Sequence, residues 1–296
     1  MVKLKIPTKD DLGTVAQYMS KVNGVLHMRS AYIETGEREI LDYLEEIYME
    51  NPKAILFLEE GTEIIGAVAG DICCDNQTIE VIGPFISPHI CNGEKYGQDM
   101  IEAMKALAPG YRLQFFIDIK NMFIDQLILR NNGKKTTQHC NMVLELQDWY
   151  KEDNINKVPN NCIKYTNGAD EEKIIKHQIE ELHDKLFPRS YYNGSTMMDM
   201  LDNNHIISYC VEEARVVSYA FYNTEDEGYL DFLGTNPMDR CKGYGSSLLQ
   251  QVFSIVKSKQ CKKIKLCVGG ENHNAIRLYE RLGFKVTERN QAYILE

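Results

Sequence analysis

The sequence predicts a mixed α/β chain of the α+β type, built as two tandem copies of one architecture, each a central, mostly antiparallel sheet flanked by helices. Three observations predict it. Runs of β-branched and aromatic residues alternate with amphipathic helical stretches through all 296 residues. Their order in the first half recurs in the second, and the helix-stopping Gly133 matches Gly283 at an offset of 150 residues. The length also agrees with about two domains, since single cores stop growing near roughly 100 to 200 residues.

In the first half, two helical stretches precede strands at Ala54–Leu58, Ile64–Ala69 and Thr78–Ile86. A helix over Tyr96–Leu107 follows, then a strand at Arg112–Ile117, a helix at Met122–Asn131 stopped by Asn-Asn-Gly, and a strand at Gln138–Leu146. The polar stretch Gln147–Cys162 contains Pro159 and shows no sustained period, which puts a linker over 151–162 between domains 1–150 and 163–296. Beyond it come a short strand near Ile163, helices at Glu171–Leu186 and Thr196–Leu201, and strands at Ile206–Glu212, Val216–Tyr222 and Tyr229–Gly234. The helix Gly245–Ser258, the strand Ile264–Val268, the helix Asn274–Leu282 and a closing strand complete the second copy.

Composition narrows the class. With 44% hydrophobic and 26% charged residues the chain has ordinary globular usage. A formal net charge of −10 disfavours nonspecific binding to nucleic acid. The acidic excess, concentrated in the first 160 residues, reads as solvated helix faces, with attraction of cationic amines as the alternative. No apolar run is long enough to span a membrane, and the opening Met-Val-Lys-Leu-Lys-Ile-Pro is no signal peptide, so the expected location is cytoplasmic. Nine cysteines without C-x-x-C spacing predict reduced, mostly buried thiols, with neither a disulfide framework nor a metal site.

One loop carries chemistry. Thr235-Asn236-Pro237-Met238-Asp239-Arg240-Cys241-Lys242-Gly243-Tyr244-Gly245 joins a strand to an amphipathic helix beginning Ser246-Ser247-Leu248-Leu249. The first turn of a helix has unpaired N–H groups and the positive end of the macrodipole, and glycines let an anion approach those donors. The dinucleotide pattern would need glycine at Leu248, and a nucleotide-triphosphate loop would end in Gly-Lys-Ser/Thr, so neither applies. What remains is R-x-x-G-x-G, followed by Leu266, Val268, Asn272, Ala275, Leu278, Tyr279, Gly283 and Phe284 at fixed spacing. In these residues the chain resembles the GNAT superfamily of acyl-CoA-dependent N-acetyltransferases, well over 163–296 and in outline over the first half.

The resemblance implies acetyl-CoA as co-substrate, no metal, and an amine acceptor that is a small molecule or a peptide. It implies that Leu233, Gly234 and Thr235 present a strand edge to the pantetheine amides, as in strand addition to a sheet. Arg240 and the amides of Cys241, Lys242, Gly243, Tyr244, Gly245 and Ser246 would then hold the diphosphate. Lys242 is either a 3′-phosphate ligand or a solvated loop lysine, and Asn272 either bonds pantetheine or caps the next helix.

Acyl transfer poses two proton problems. An alkyl ammonium with pKa of about 10.4 is deprotonated to about one part in a thousand at pH 7, and the leaving thiolate needs a proton donor. A phenol stays protonated at neutral pH, and Tyr279 stands where the family places that acid, although Leu278 and Leu282 also allow a core tyrosine. The base is not fixed by sequence. Asp231 and Glu271 are the carboxylates near the expected slot, each also open to a structural role. Tyr191 and Tyr192 lie in the loop between the opening helices of this copy, where they either flank the amine with their rings or pack the loop.

The first half lacks these groups. Its corresponding turn is Ser87-Pro88-His89-Ile90-Cys91-Asn92-Gly93-Glu94-Lys95-Tyr96-Gly97, with no arginine and, counting back from Gly97, Lys95 opposite the first glycine of the loop. The 150-residue offset sets Leu129 opposite Tyr279. This copy therefore reads as degenerate, and the competing function for the whole chain is a noncatalytic acyl-CoA sensor or interaction module.

Overall fold

The computed structural model describes residues 2–149, 163–166, 173–188, 190–225 and 227–296. The first half of the sequence forms β1 (Lys3–Lys5), α1 (Leu12–Asn23), α2 (Glu37–Glu50), β2 (Ile55–Glu60), β3 (Glu63–Cys73), β4 (Thr78–Ile86), α3 (Gly93–Leu107), β5 (Arg112–Asp118), α4 (Met122–Arg130) and β6 (Lys134–Glu145). The second forms β7 (Ile163–Thr166), α5 (Lys173–Leu186), α6 (Gly194–Asp199), β8 (His205–Glu212), β9 (Arg215–Asn223), β10 (Gly228–Thr235), α7 (Tyr244–Ser258), β11 (Lys263–Gly269), α8 (His273–Arg281) and β12 (Lys285–Leu295). The 151–162 segment expected as a linker lies outside the described residues.

The repeat is closer in structure than in sequence. Helices α3 and α7 both have 15 residues, α4 and α8 both have 9, and each pair starts 151 positions apart. The offset of 150 is therefore corrected by one. A helix that stops in the left-handed region favours Gly or Asn there. Gly283 fills that position after α8 at φ +97°, whereas Asn132, not Gly133, fills it after α4 at φ +64°. The residue opposite Tyr279 is then Ile128, a buried aliphatic without a proton to give.

Two compact units result, Met1–His139 with Glu288–Glu296, and Cys140–Thr287. In the first, strands run in the order β1-β2-β3-β4-β5-β12; in the second, β11-β10-β9-β8-β7 follow one another, and Leu146 N donates to Lys262 O at 2.8 Å. Pairing is parallel between β4 and β5 and between β10 and β11, and antiparallel along β1–β4 and β7–β10. One face of the first sheet packs Ile82 and Phe85 under Leu12, Val15 and Leu44 of α1 and α2, and the other packs Val81 and Phe115 under Met100 and Ile128 of α3 and α4. The second unit repeats this, with Tyr219 and Phe221 against α5 and α6, and Leu230 and Leu266 against α7 and α8.

The units are not contiguous in sequence, because each last strand leaves its own half. β12 pairs with β5 from Asn290↔Asp118 to Leu295↔Leu113, and Tyr293 and Leu295 enter the first core. Cys140, Met142, Leu144 and Leu146 of the first half enter the second core. The eight described cysteines are thiols, but the expectation that most are buried fails, since only Cys140, Cys210 and Cys261 are. Of the others, Cys73 ends β3, Cys74 and Cys91 lie in turns, Cys241 lies in the loop before α7 and Cys267 in β11.

Each buried large apolar side chain contributes roughly 1.5–3 kcal/mol. Deleting Glu288–Glu296 should therefore destabilise the first unit although its Met1–His139 segment is untouched. Hydrogen exchange is expected to rise across Leu113–Asp118 well before it rises in α7, and unchanged protection of β5 would contradict the strand assignment.

Candidate active site

The site is built where β10 and β11 part. Their parallel pairing runs from Gly228↔Ile264 to Leu230↔Leu266 and ends there, although both strands continue. At the base, Glu227 takes both Lys263 and Lys265, at 2.5 Å each, which holds the strand ends together. Opposite β9, Leu230 pairs with Tyr222 and Phe232 with Phe221, so Asp231 is an extra residue with no partner. Such a bulge bends its strand and re-aims side chains. Leu230 points into the core beneath α7 and α8, Phe232 into the one beneath α5 and α6, and the β10 edge at Leu233–Thr235 is left facing the gap.

The loop beyond β10 is tied from below. Ser218 Oγ donates to Gly234 O and meets Thr235 Oγ1, both at 2.7 Å, and Arg240 Nε reaches Thr235 O at 3.4 Å. Gly234 has no alternative, since a Cβ would stand 2.5 Å from Tyr219 Cε1. Asp239 is buried between Arg215 and Lys242, each at 2.8 Å, and these two cations hold its carboxyl below the usual range. Lys242 is thus paired with Asp239 while its side chain stays half exposed. Cys241 at φ +62° and Gly243 at φ +95° turn the chain into α7, whose first intrahelical bond is Ser247 N to Gly243 O. The N–H groups of Tyr244, Gly245 and Ser246 precede it, an arrangement of donors that fits a diphosphate. The Tyr244 side chain is buried with Cys210, Val217 and Leu248, so its amide alone is available.

Helix α8 crosses this start. A Cβ on Gly245 would meet Leu278 at 3.5 Å, and Arg281 donates to Ser246 Oγ at 3.0 Å. Asn272 caps α8, its Oδ1 accepting from Ala275 N at 3.2 Å. Tyr279 is 7% exposed, stands 5.6 Å from the Phe284 ring, and burial raises its pKa, so the hydroxyl keeps its proton. Glu271 is exposed in the turn before α8.

The other side of the gap is aromatic. Tyr191 stacks on Phe232 at 5.2 Å and 29°, meets Tyr192 edge-on at 4.6 Å, and donates its hydroxyl to Asp231 Oδ1 at 3.0 Å. Burial pushes the Asp231 carboxyl up to about 6, against the Tyr191 hydrogen bond and the nearby His205, which favour the anion. Arg189 of the same loop lies outside the described residues. Asp231, Tyr191 and Tyr192 are therefore brought together, and Glu271 is not among them. Sequence reasoning missed the bulge, which has no side-chain signature, and the ion-pair site at Asp239.

Residues 168–284 match the Acetyltransferase (GNAT) family. The matched stretch lies within the second unit. Among curated proteins, the segment is similar to YdhI of Bacillus subtilis, 28% identical over 116 residues that span 38% of this chain and 70% of that protein. It is also similar to an N-acetyltransferase 9-like protein of Schizosaccharomyces pombe, 33% identical over 69 residues, 21% of this chain and about a third (32%) of that one. In fold, the chain is similar to a GCN5-related N-acetyltransferase from Sphaerobacter thermophilus, with a TM-score of 0.72 at 14% identity, covering 99% and 95% of the two chains. A tandem GNAT protein from the clavulanic acid biosynthesis pathway gives 0.61 at 13%, covering 99% and 98%.

The first unit closes the equivalent gap with its own chain. β4 and β5 also part after three pairs, Thr78↔Arg112 to Glu80↔Gln114. Beyond them Ser30 bridges to Ile117, Ala31 N donates to Phe116 O at 2.7 Å, and Asp118 N donates to Arg29 O at 3.2 Å. The Arg29–Ala31 backbone therefore lies along β5 beyond the point where β4 and β5 part. The left-handed residue before α3 is Asn92 at φ +67°, so Asn92, not Lys95, stands opposite Gly243. Among the described residues no cluster of His, Cys, Asp and Glu could hold a metal, and no helix is long and apolar enough to cross a membrane.

CoA should accordingly bind once per chain. Gly243→Val puts a side chain into a left-handed position, at a cost of about 1–2 kcal/mol or more, and is expected to weaken CoA binding by at least about tenfold. Titration calorimetry checks both points, and two equivalent sites or an unaltered affinity would contradict them.

Proposed function

We propose that the chain transfers an acetyl group from acetyl-CoA to a primary amine of a small molecule or peptide in the cytoplasm, by direct attack of the amine on the thioester. The observation that carries this reading is Asp231, a bulged, half-buried carboxylate at the mouth of the gap between β10 and β11. An amine that enters protonated must lose a proton before its lone pair can attack, at a cost of roughly 4–5 kcal/mol at pH 7. A carboxylate raised to about 6 by burial is a stronger base than an ordinary one and is still ionised at neutral pH.

The remaining roles follow from chemistry and position. The open edge of β10 at Leu233–Thr235 suits the amide-bearing arm, and the α7 start with Arg240 suits the diphosphate. When bound, acetyl-CoA supplies the activated acyl group. Tyr279, whose hydroxyl burial keeps protonated at neutral pH, offers that O–H as a hydrogen bond to the departing sulfur. Tyr191 and Tyr192 wall the acceptor side, where ring faces favour a cationic group.

Tyr279→Phe keeps the ring and its packing. The chemical step should fall by about a hundredfold or more with acetyl-CoA affinity little altered, and wild-type single-turnover rates would remove this role. For Asp231→Asn, the loss of rate should be largest at neutral pH and shrink at high pH, where free amine is abundant. Stability gives an independent reading of the same carboxyl. Its folded pKa lies above the unfolded value of 3.8, so ionisation disfavours the folded state as pH rises through about 6. The Asn variant should therefore gain in Tm relative to the parent at pH 8 but not at pH 4. Thiol release over a panel of amines, polyamines, amino acids and peptides tests the activity itself, and intact CoA binding without release would leave an acyl-CoA sensor.

A further inference from the structure

His183 of α5 is buried completely, yet each of its ring nitrogens is engaged. Nδ1 lies 2.7 Å from Tyr219 Oη, and Nε2 lies 2.9 Å from the carbonyl oxygen of Tyr192 and 3.2 Å from Ser190 Oγ. A carbonyl only accepts, so the network assigns the proton to Nε2. Ser190 Oγ approaches the same carbonyl at 2.5 Å and Phe187 O at 2.9 Å, so its one proton is shared between the two. The ring itself is wedged edge-on to Phe232 at 4.6 Å and tilted against Phe187 at 5.4 Å.

The rest of the loop is fastened just as closely. Gly194 N donates to Asp184 Oδ1 at 2.7 Å, and Asn193 Oδ1 accepts from Thr196 N at 2.8 Å. A Cβ on Gly194 would stand 2.6 Å from Glu180 Cα, so this end of the loop lies directly on α5. Tyr191 projects from between these anchors. It is 65% exposed, and an exposed tyrosine ordinarily samples several rotamers, but this one stacks on Phe232 and reaches Asp231.

We propose that His183 is a positioning residue for acyl transfer: by clamping the Tyr192 carbonyl from below, it holds the Tyr191 hydroxyl on Asp231 and so shapes the seat of the acceptor amine. The proposal rests on the reading of Asp231 as the proton acceptor. The groups that bear on Asp231 are Tyr191 from the loop and His205 from β8, with Tyr229 on its own strand and Cys267 of β11 acting on Tyr229. Those that face or flank His183 are Tyr219 of β9, Ser190, the Tyr192 carbonyl, and its neighbour Asp184, which is occupied by Gly194 N. Two routes join the sets: Tyr191, the chain neighbour of the clamped Tyr192, and the uncharged Phe232 ring, which packs on both His183 and Tyr191. Releasing the clamp should free Tyr191, remove a hydrogen bond that favours the Asp231 anion, and loosen the acceptor seat while the CoA loop stays intact.

The test follows the Asp231 carboxyl by carbon NMR, assigned with Asp231→Asn, alongside steady-state kinetics of the full chain. Tyr191→Phe should raise the Asp231 midpoint by about one pH unit. His183→Leu should do the same although it does not touch Asp231, with KM for the amine up roughly tenfold and acetyl-CoA affinity unchanged. His183→Gln, which keeps a donor near the Nε2 position, should restore both. The double variant His183→Leu/Tyr191→Phe should shift the midpoint no further than Tyr191→Phe. A folded His183→Leu with an unmoved midpoint, or additive shifts in the double variant, would overturn the proposal. If His183→Leu does not fold, Ser190→Ala takes its place, because it removes the hydroxyl whose shared proton reaches the same carbonyl and is judged by the same midpoint. A moved midpoint with rates indifferent to Asp231→Asn would keep the positioning role and remove Asp231 as the base; an unmoved midpoint with Asp231-dependent rates would do the reverse.

Discussion

One residue more in β10 than β9 can pair, Asp231, is the constraint on which the second unit's site depends. Before it, Leu230 serves the core under α7 and α8; after it, Phe232 serves the core under α5 and α6. The bend carries β10 away from β11 and opens a strand edge that a regular ladder would have closed. It also puts Asp231 and Phe232 on the side where Tyr191 stands, so a carboxylate and a ring are presented together. Desolvation of that carboxylate is the electrostatic consequence of the same geometry.

The two copies show how one architecture becomes two chemical surfaces. Both have a parallel pair that stops after three residues, both start a 15-residue helix from a left-handed position, and both follow it with an asparagine-capped helix of nine. In the second copy the gap stays open and the loop carries Arg240 and Gly243. In the first, Arg29–Ala31 lies along β5 and satisfies Phe116 and Asp118. A sheet edge with unmet donors and acceptors is costly unless something covers it. The first copy covers its β5 edge with its own backbone, which stabilises the unit.

Much of the element order was legible because period and punctuation are local properties. The apolar positions Leu248, Leu249, Val252, Phe253 and Val256 mark one face of α7 in the sequence as they do in the core. The R-x-x-G-x-G turn was legible for the same reason, since a left-handed residue before a helix favours glycine whatever surrounds it. The off-by-one repeat shows the limit of that logic: Asn132 does the work expected of Gly133, because asparagine also tolerates the left-handed region. Lys242 shows another limit, for its partner Asp239 is three residues away, but the burial of Asp239 arises from the fold.

By itself the sequence determined the order of strands and helices, the position of the glycine turn that starts α7, and the family resemblance of the second half, all of which depend on residue types at short spacing. Only the tertiary structure decided where the units divide, because strand pairing is set by long-range register, which places Leu295 beside Leu113. It alone separated Asp231 from Glu271, since burial and the reach of Tyr191 across 40 residues are properties of packing. It alone turned His183, one histidine among seven in the sequence, into the anchor of the acceptor wall, because a hydrogen-bond network exists only once α5, β9 and the 190–194 loop have been brought into contact.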